Sequence, residues 1–275
     1  MPLTEPFPSL DEIMRLIGEA GSRLVEIEAS EGAAGNISVF LGWDVHLFRH
    51  FPYTEKFVLP QPVPEMAGKV ILATGSGRRL REIGADPEAN LGALRIDEGG
   101  KTATLHTSPR RLFEKPTSEL NSHLAVHRAM IARDNLIFHA VIHAQPLHLT
   151  YLSHIPVYQD TRYLNTHILR WQPETLVHLP KGVAFLPFLM PGSQELMEAT
   201  VGAMQDDYRV VLWAKHGVMA RSDLSVKRAA DRIEYAETGA TYEHLNLTGG
   251  NLGEGLSPEE LHQIAANFGV EQDYF

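Results

Sequence analysis

Histidines and carboxylates are the residues of this sequence best suited to chemistry, because the chain has 14 histidines and no cysteine. A chain without cysteine cannot form disulfides, thiolate nucleophiles or cysteine-based zinc sites. Transition-metal chemistry in such a chain must use imidazole and carboxylate ligands. Three segments place residues of these types where they could act together.

The first segment, residues 138–146, is an apolar run that ends in a histidine and a glutamine. If it forms a strand, His139, His143 and Gln145 share one face, because side chains alternate along a strand. Residues two apart are separated by about 6.6 Å and can reach one ion, whereas His139 lies about 13 Å from His143. The spacing offers His143 and Gln145 as a chelating pair and gives His139 a structural role. The alternative is that these histidines are buried and bonded to backbone carbonyls.

A second segment, residues 210–219, is a hydrophobic strand followed by Lys215, His216 and Gly217 and then by another apolar run. His216 would lie at the turn that follows the strand, a place where functional side chains are often displayed. An ordinary turn histidine is the alternative interpretation.

In the third segment, residues 115–120, two hydroxyl residues and a glutamate precede a helical pattern. Thr117 or Ser118 can cap that helix, and an acid in its first turn suits the helix dipole, which would fully explain Glu119. The same helix start also offers free N–H groups and two hydroxyls to an anion. In this second interpretation Glu119 is a general base beside the anion.

Two glycine-containing segments, residues 32–38 and 74–77, adjoin strands and could bring backbone N–H groups close to a phosphate. Neither is a P-loop, and neither has the glycine spacing of a dinucleotide-binding turn. The sequence therefore does not support a nucleotide cofactor.

Predicted helices and strands alternate between these segments. Apolar spacing predicts helices over residues 10–28 (with Ser9 as the N-cap), 117–132, 193–205, 223–246 (capped by Ser222) and 258–268. Strands are predicted over residues 36–41, 69–73, 91–96, 102–106, 135–143 and 209–214. Residues 41–66 lack periodicity and are predicted to be a long, partly ordered insertion. We expect a single α/β domain, residues 1–275, with helices on both faces of a sheet.

Charge and hydropathy exclude several functional classes. The chain has 24 Lys+Arg against 34 Asp+Glu, a net charge of −10, which argues against nucleic-acid binding. Its apolar runs are shorter than the roughly 20 residues that a membrane helix needs. The first residues lack the basic and apolar regions of a signal peptide. We expect a cytoplasmic protein without a nucleic-acid or membrane partner.

Taken together, and in their order along the chain, the segments resemble the class II aldolase/adducin family. The matching features are Gly35 and Asn36 before a strand, residues 74–77, residues 116–119, the strand that ends at His143, and residues 215–217. Residues 86–92, 173–177 and 186–192 are similar to the branch of the family that acts on rhamnulose phosphate.

The resemblance implies a mostly antiparallel central sheet flanked by helices, in a homotetramer with active sites between subunits. It implies a divalent metal, usually zinc, and cleavage of a phosphorylated ketose by an enediolate mechanism to dihydroxyacetone phosphate and an aldehyde. The matching metal ligands are His143, Gln145 and His216. Glu119 matches the acid/base, and Glu174 matches an acid that approaches from a neighbouring subunit. Tyr274, near the C-terminus, is an alternative to Glu174 as the group that serves the aldehyde hydroxyl. The positions that match phosphate contacts are Asn36, Ser76, Gly77, Thr117 and Ser118.

Two positions depart from the family pattern. Gln145 stands where the family has a second histidine, and an amide oxygen is a poorer zinc ligand than imidazole, so manganese, cobalt or nickel are alternatives to zinc. Ala33 and Ala34 replace an asparagine and a glycine of the phosphate loop. His148 could replace the missing ligand only if the chain folds back after Pro146. A pentose-phosphate 4-epimerase and a non-catalytic or divergent adducin-like protein remain as alternatives.

Overall fold

The computed structural model describes residues 3–275. Nine strands form one sheet: β1 (Asn36–Leu41), β2 (Tyr53–Val58), β3 (Val70–Thr74), β4 (Leu91–Ile96), β5 (Thr102–Thr107), β6 (Phe138–Ala144), β7 (Ala184–Leu186), β8 (Val210–Trp213) and β9 (Gly217–Ser222). The strand order is β2-β5-β4-β3-β1-β6-β9-β8-β7. All neighbouring strands are antiparallel except β7 and β8.

Ten α-helices of this part of the chain surround the sheet: α1 (Leu10–Glu26), α2 (Leu80–Ile83), α3 (Pro87–Asn90), α4 (Leu120–Asp134), α5 (Leu147–Leu152), α6 (Thr161–Ile168), α7 (Pro173–His178), α8 (Gln194–Gln205), α9 (Val226–Thr248) and α10 (Pro258–Phe268). Single 3-10 turns occur at Pro64–Met66 and Pro156–Tyr158. No helix among residues 3–275 is both long and apolar enough to cross a membrane.

Side-chain alternation along the central strands divides the core into two layers. Ile37 and Val39 of β1, for example, pack in the larger layer with residues of α1, α5, α6, α7 and α9. Phe40 points to the opposite face, which α4 and α8 cover. Asn36 and Ser38 lie on this second face, directly opposite His143 and Val141 of β6 in the antiparallel register. The polar residues of β1 and β6 therefore lie beneath α4.

The predicted α/β class and mostly antiparallel sheet are confirmed. The predicted helix start at Thr117 is wrong, because α4 begins at Leu120 and the Thr117 hydroxyl accepts the Glu119 N–H instead. The last long helix begins at Val226 and is capped by Ser225, not by Ser222.

Residues 41–66 are not a partly ordered insertion. They contain β2, which pairs along its full length with β5 at the sheet edge. Short helices α5, α6 and α7 and strand β7 were not predicted.

Candidate active site

Glu119, His143 and His216 form the one cluster of potential metal-binding His, Asp and Glu side chains found within residues 3–275. Their donor atoms all lie within 4.8 Å of one another. Glu119 Oε2 is 3.6 Å from His143 Nε2, and Glu119 Oε1 is 3.4 Å from His216 Nε2. Glu119 and His216 are 97 positions apart in the sequence, and His143 lies between them. The fold therefore brings together three distant segments of the chain.

His143 is buried near the end of β6 on the face beneath α4. Its Nδ1–H donates to the carbonyl oxygen of Val218 at 2.8 Å. In the neutral ring this leaves the Nε2 lone pair turned toward Glu119. A backbone acceptor on the far nitrogen is the usual way in which proteins orient a metal-binding imidazole.

His216 is held by a tight turn between β8 and β9. Lys215 has a positive φ of 62°, and its N–H donates to Ser153 Oγ at 2.7 Å. Gly217 follows with φ 150°, and a Cβ added there would lie only 2.4 Å from the carbonyl oxygen of Ala144. The turn therefore requires glycine at 217, which explains why the Lys-His-Gly sequence suits this position.

Glu119 is buried and immediately precedes α4 without capping it. Its Oε2 accepts a hydrogen bond from Asn36 Nδ2 at 2.9 Å. Burial favours the neutral carboxyl, but the neighbouring His143 and the Asn36 hydrogen bond outweigh burial and hold the pKa of Glu119 below its ordinary value. Helix capping therefore does not explain this glutamate, and the carboxylate faces the two histidines.

The spacing of these atoms fits a tetrahedral metal ion. Two ligands at about 2.0–2.2 Å from one zinc ion are about 3.3–3.6 Å apart. The two histidine–glutamate separations of 3.4 and 3.6 Å agree with that edge length. Two imidazoles and a carboxylate are ordinary zinc donors, so the residues present fit a divalent transition metal.

Gln145 lies just beyond the end of β6, and its N–H donates to the carbonyl oxygen of Ala29. A Cβ added at Gly217 would lie 3.0 Å from Gln145 Cγ and 3.1 Å from His143 Cε1. The Gln145 and His143 side chains therefore both lie close to Gly217. Gln145 also borders a cleft of about 660 Å³ between α1 and α5.

The residues predicted to contact phosphate lie around the start of α4. Thr117 N–H donates to the Thr74 carbonyl, and Ser76 N–H donates to that of Lys115, so the two segments run side by side. Gly77 is exposed with φ 71°. Thr117 and exposed Ser118 border a cleft of about 680 Å³. Asn36 is different, because it is buried and its amide is bonded to Glu119 and His123.

Three other candidate residues lie away from the cluster within one chain. Glu174 is exposed on α7, which packs on α9 and α10. His148 Nδ1 bonds Glu237 of α9 at 2.7 Å, so the chain does not fold back to supply a replacement ligand. Tyr274, the aldehyde-side alternative to Glu174, is buried, and its hydroxyl donates to the Lys181 carbonyl at 2.8 Å.

Trp213 is an unpredicted component of the site. Its ring stacks on His143 with a centroid distance of 4.9 Å and lies 5.1 Å from the His216 ring. Its Nε1–H donates to Thr200 Oγ1 at 2.9 Å, which fixes the indole between α8 and the two imidazoles. The only sequence signal was its place at the end of β8, three residues before His216.

The chain is similar to known protein sequences and to a solved structure. Residues 15–244 match the sequence profile described as Class II Aldolase and Adducin N-terminal domain. The chain is 27% identical over 273 residues to a rhamnulose-1-phosphate aldolase of Bacteroides thetaiotaomicron, covering 98% of each protein. It is 32% identical over 213 residues to a rhamnulose-1-phosphate aldolase of Escherichia coli, covering 77% of this chain and 76% of the relative. A crystal structure of a sugar-phosphate aldolase from Thermotoga maritima superimposes with a TM-score of 0.70 and 29% identity, covering 88% of this chain and 97% of that one.

Proposed function

The chain belongs to the class II aldolase and adducin family, and from this membership we propose that it cleaves a phosphorylated ketose, L-rhamnulose 1-phosphate or a close analogue, to dihydroxyacetone phosphate and an aldehyde. The observation that carries the proposal is the convergence of His143, His216 and Glu119, with the Glu119 carboxylate oxygens 3.6 and 3.4 Å from the Nε2 atoms of the two histidines. The similarity to rhamnulose-1-phosphate aldolases of Bacteroides thetaiotaomicron and Escherichia coli supports the choice of substrate.

His143 and His216 would hold a divalent metal through their Nε2 atoms, with the Gln145 carbonyl oxygen as a third donor. Two imidazole ligands favour zinc, and a ligand set that includes an amide oxygen also suits manganese, cobalt or nickel. When bound, the metal supplies a Lewis acid that polarises the substrate carbonyl and stabilises negative charge. Trp213 and the Val218 carbonyl keep the His143 ring in position.

Glu119 would act as the acid/base. Its carboxylate is ionised at neutral pH, because the pKa lies below the ordinary value. In the cleavage direction the electron pair of the broken carbon–carbon bond remains on the carbon of the dihydroxyacetone phosphate half. The hydroxyl that becomes the aldehyde oxygen would release its proton to Glu174 of the neighbouring subunit as the bond breaks. Glu119 would take up a proton and deliver it to the carbon that gained the electron pair, and in the reverse reaction it would remove a proton from the same carbon.

The phosphate would bind beside the start of α4. The Thr117 and Ser118 region and the exposed Gly77 turn present hydroxyl and backbone N–H groups there, and the N-terminus of a helix attracts anions. Ser76 completes this set on the neighbouring segment. Asn36 would contribute through Glu119, to which its amide donates.

Glu174 is proposed to act at the site of a neighbouring subunit in a homotetramer. Its exposure on α7 leaves the carboxylate free for that contact, and it has no hydrogen bond or ion pair with any of residues 3–275. The Glu174→Ala variant and the inactive Glu119→Ala variant can be combined in mixed oligomers. Activity should be recovered in these mixed oligomers only if each active site takes residues from two subunits.

A product assay tests the proposal. Protein stripped of metal by a chelator is reloaded with zinc, manganese, cobalt or nickel and incubated with L-rhamnulose 1-phosphate, L-fuculose 1-phosphate and L-ribulose 5-phosphate. Metal-dependent release of dihydroxyacetone phosphate supports an aldolase. Interconversion of pentose phosphates would identify an epimerase, and no turnover with any metal would leave a non-catalytic protein.

A matched pair of variants controls for folding. Glu119→Gln should abolish turnover, whereas Glu237→Gln should retain it. Glu237 is also a buried glutamate beside a histidine, but it lies on α9 on the opposite side of the sheet.

A further inference from the structure

A chain of buried hydrogen bonds runs away from Glu119 beneath α4. Asn36, which donates to Glu119, is bonded through its Oδ1 to His123 Nε2. His123 Nδ1 lies 2.6 Å from Ser38 Oγ, and Ser38 Oγ lies 2.8 Å from His127 Nε2. His127 Nδ1 lies 2.9 Å from His139 Nδ1. These links join β1, α4 and β6, and we call Ser38, His123, His127 and His139 the histidine relay.

Every member of the histidine relay is 0% exposed, so water cannot substitute for a missing partner. Burial lowers the pKa of His123 to about 3 and holds the pKa values of His127 and His139 well below 6.5. The three rings are therefore neutral, and each has one N–H and one bare nitrogen.

The hydrogen bond from Asn36 Nδ2 to Glu119 Oε2 at one end then fixes every proton of the chain. Asn36 must present its N–H to Glu119, so its Oδ1 accepts from His123 Nε2–H. The bare Nδ1 of His123 accepts the Ser38 O–H, and Ser38 Oγ accepts from His127 Nε2–H. The bare Nδ1 of His127 accepts from His139 Nδ1–H.

At the far end the relay leaves one atom unpaired. With its proton on Nδ1, His139 carries a bare lone pair on Nε2, and that atom is buried without a partner. An unpaired buried acceptor is destabilising, and an apolar side chain would avoid this cost. The one hydrogen bond that the His139 ring makes is therefore the one that it donates to His127.

We propose that the histidine relay is a positioning device, which locks the orientation of the Asn36 amide and thereby holds the Glu119 carboxylate against His143 and His216. An asparagine amide can turn over with little change of shape, and the reversed amide would place an oxygen against the carboxylate. His123 Nε2–H prevents that reversal. The inference rests on the proposed role of Glu119 as the acid/base.

Two substitutions at one position separate positioning from simple packing. His123→Leu removes the donor to Asn36, whereas His123→Gln keeps an N–H near the place of Nε2. We expect His123→Leu to lower kcat by about 10- to 100-fold with KM unchanged, as for other residues that orient active-site groups. His123→Gln should recover at least half of the loss in log kcat, so that a loss of about 100-fold in His123→Leu would become a loss of about 10-fold or less.

His106→Leu is the matched control, because His106 is a half-buried histidine on β5 that lies outside the relay. We expect His106→Leu to keep the wild-type kcat, whatever its effect on stability. A wild-type kcat in folded His123→Leu, or an equal loss in His123→Gln and His123→Leu, would overturn the positioning role.

A spectroscopic measurement tests the relay without relying on turnover. Nitrogen-15 NMR of histidine-labelled protein should show His123 and His127 as Nε2–H tautomers and His139 as the Nδ1–H tautomer. A His139 ring protonated at Nε2, or a His123 ring protonated at Nδ1, would refute the assigned direction. If the wild type cleaves no phosphoketose, the proposed function fails, while the tautomers still decide whether this relay exists.

Discussion

Replacement of Trp213 by phenylalanine tests whether the indole organises the two imidazoles. In the wild type the indole contacts both rings, with centroid distances of 4.9 Å to His143 and 5.1 Å to His216. A phenyl ring on the same backbone is smaller and cannot donate to Thr200. We expect Trp213→Phe to keep the fold and to loosen the metal site.

The size of the effect follows from these contacts. The lost hydrogen bond costs about 1 kcal/mol, and the roughly 40 Å³ left by the smaller ring costs about 1 kcal/mol more. The sum of about 2 kcal/mol corresponds to a fall in Tm of about 4–8 °C. Loss of one ring–ring contact, about 1 kcal/mol, would raise the Kd for zinc about fivefold.

The assay pairs thermal unfolding with zinc titration against a competing chelator. Trp43→Phe is the matched control, because Trp43 stacks on Phe7 and Phe138 on the other side of the sheet. This control should lower Tm and leave the zinc Kd unchanged. A zinc Kd within twofold of the wild-type value in Trp213→Phe, with Tm lowered as in the control, would refute the proposed role of the indole.

Three further predictions follow from the site. Glu119→Gln should retain bound metal while turnover falls to background, as measured by metal analysis and product release on the same sample; turnover near the wild-type rate would remove Glu119 from the mechanism. Gln145→His should slow zinc loss to a chelator, because imidazole is the stronger zinc ligand; an unchanged rate would place residue 145 outside the coordination sphere. Since the pKa values of buried His123, His127 and His139 are depressed, the unfolded chain binds up to three more protons below pH 6.5. Their contribution to stability is complete above pH 6.5, and the free energy of unfolding should fall by up to about 4 kcal/mol per pH unit as pH drops toward 3, measured by urea titration; a flat profile between pH 6.5 and 5 would contradict it.

Helices and strands could be predicted where one segment of the sequence contains both a clear hydrophobic period and the capping or turn residues that bound the element. The helix capped by Ser9 and the hairpin of β4 and β5 have clear periodicity and turn residues, and the structure contains both. Edge strand β2 has no such signal, because nearly all of its side chains are exposed on both faces. Helices α5, α6 and α7 are each at most eight residues long, too short to show a helical period.

Some residues of the candidate site could likewise be predicted from local sequence, and others could not. His143, His216 and Glu119 stood out because each lies at the end of an apolar strand or the start of a helix. His123 and His127 are four residues apart on one helix, which placed them on a common face but did not indicate what lay opposite. Their partner Ser38 depends on the pairing of β1 with β6 and on how α4 packs across both strands, which no local pattern encodes.

The metal content of untagged protein purified without chelator shows whether His143 and His216 hold a metal ion. Wild type, His216→Ala and the control His148→Ala are compared by elemental mass spectrometry, since His148 is bonded to Glu237 and lies outside the cluster. We expect about one divalent transition-metal ion per chain in the wild type and the control, and almost none in His216→Ala. A wild type that stays metal-free after incubation with zinc or manganese, or a His216→Ala variant that binds as much metal, would contradict it.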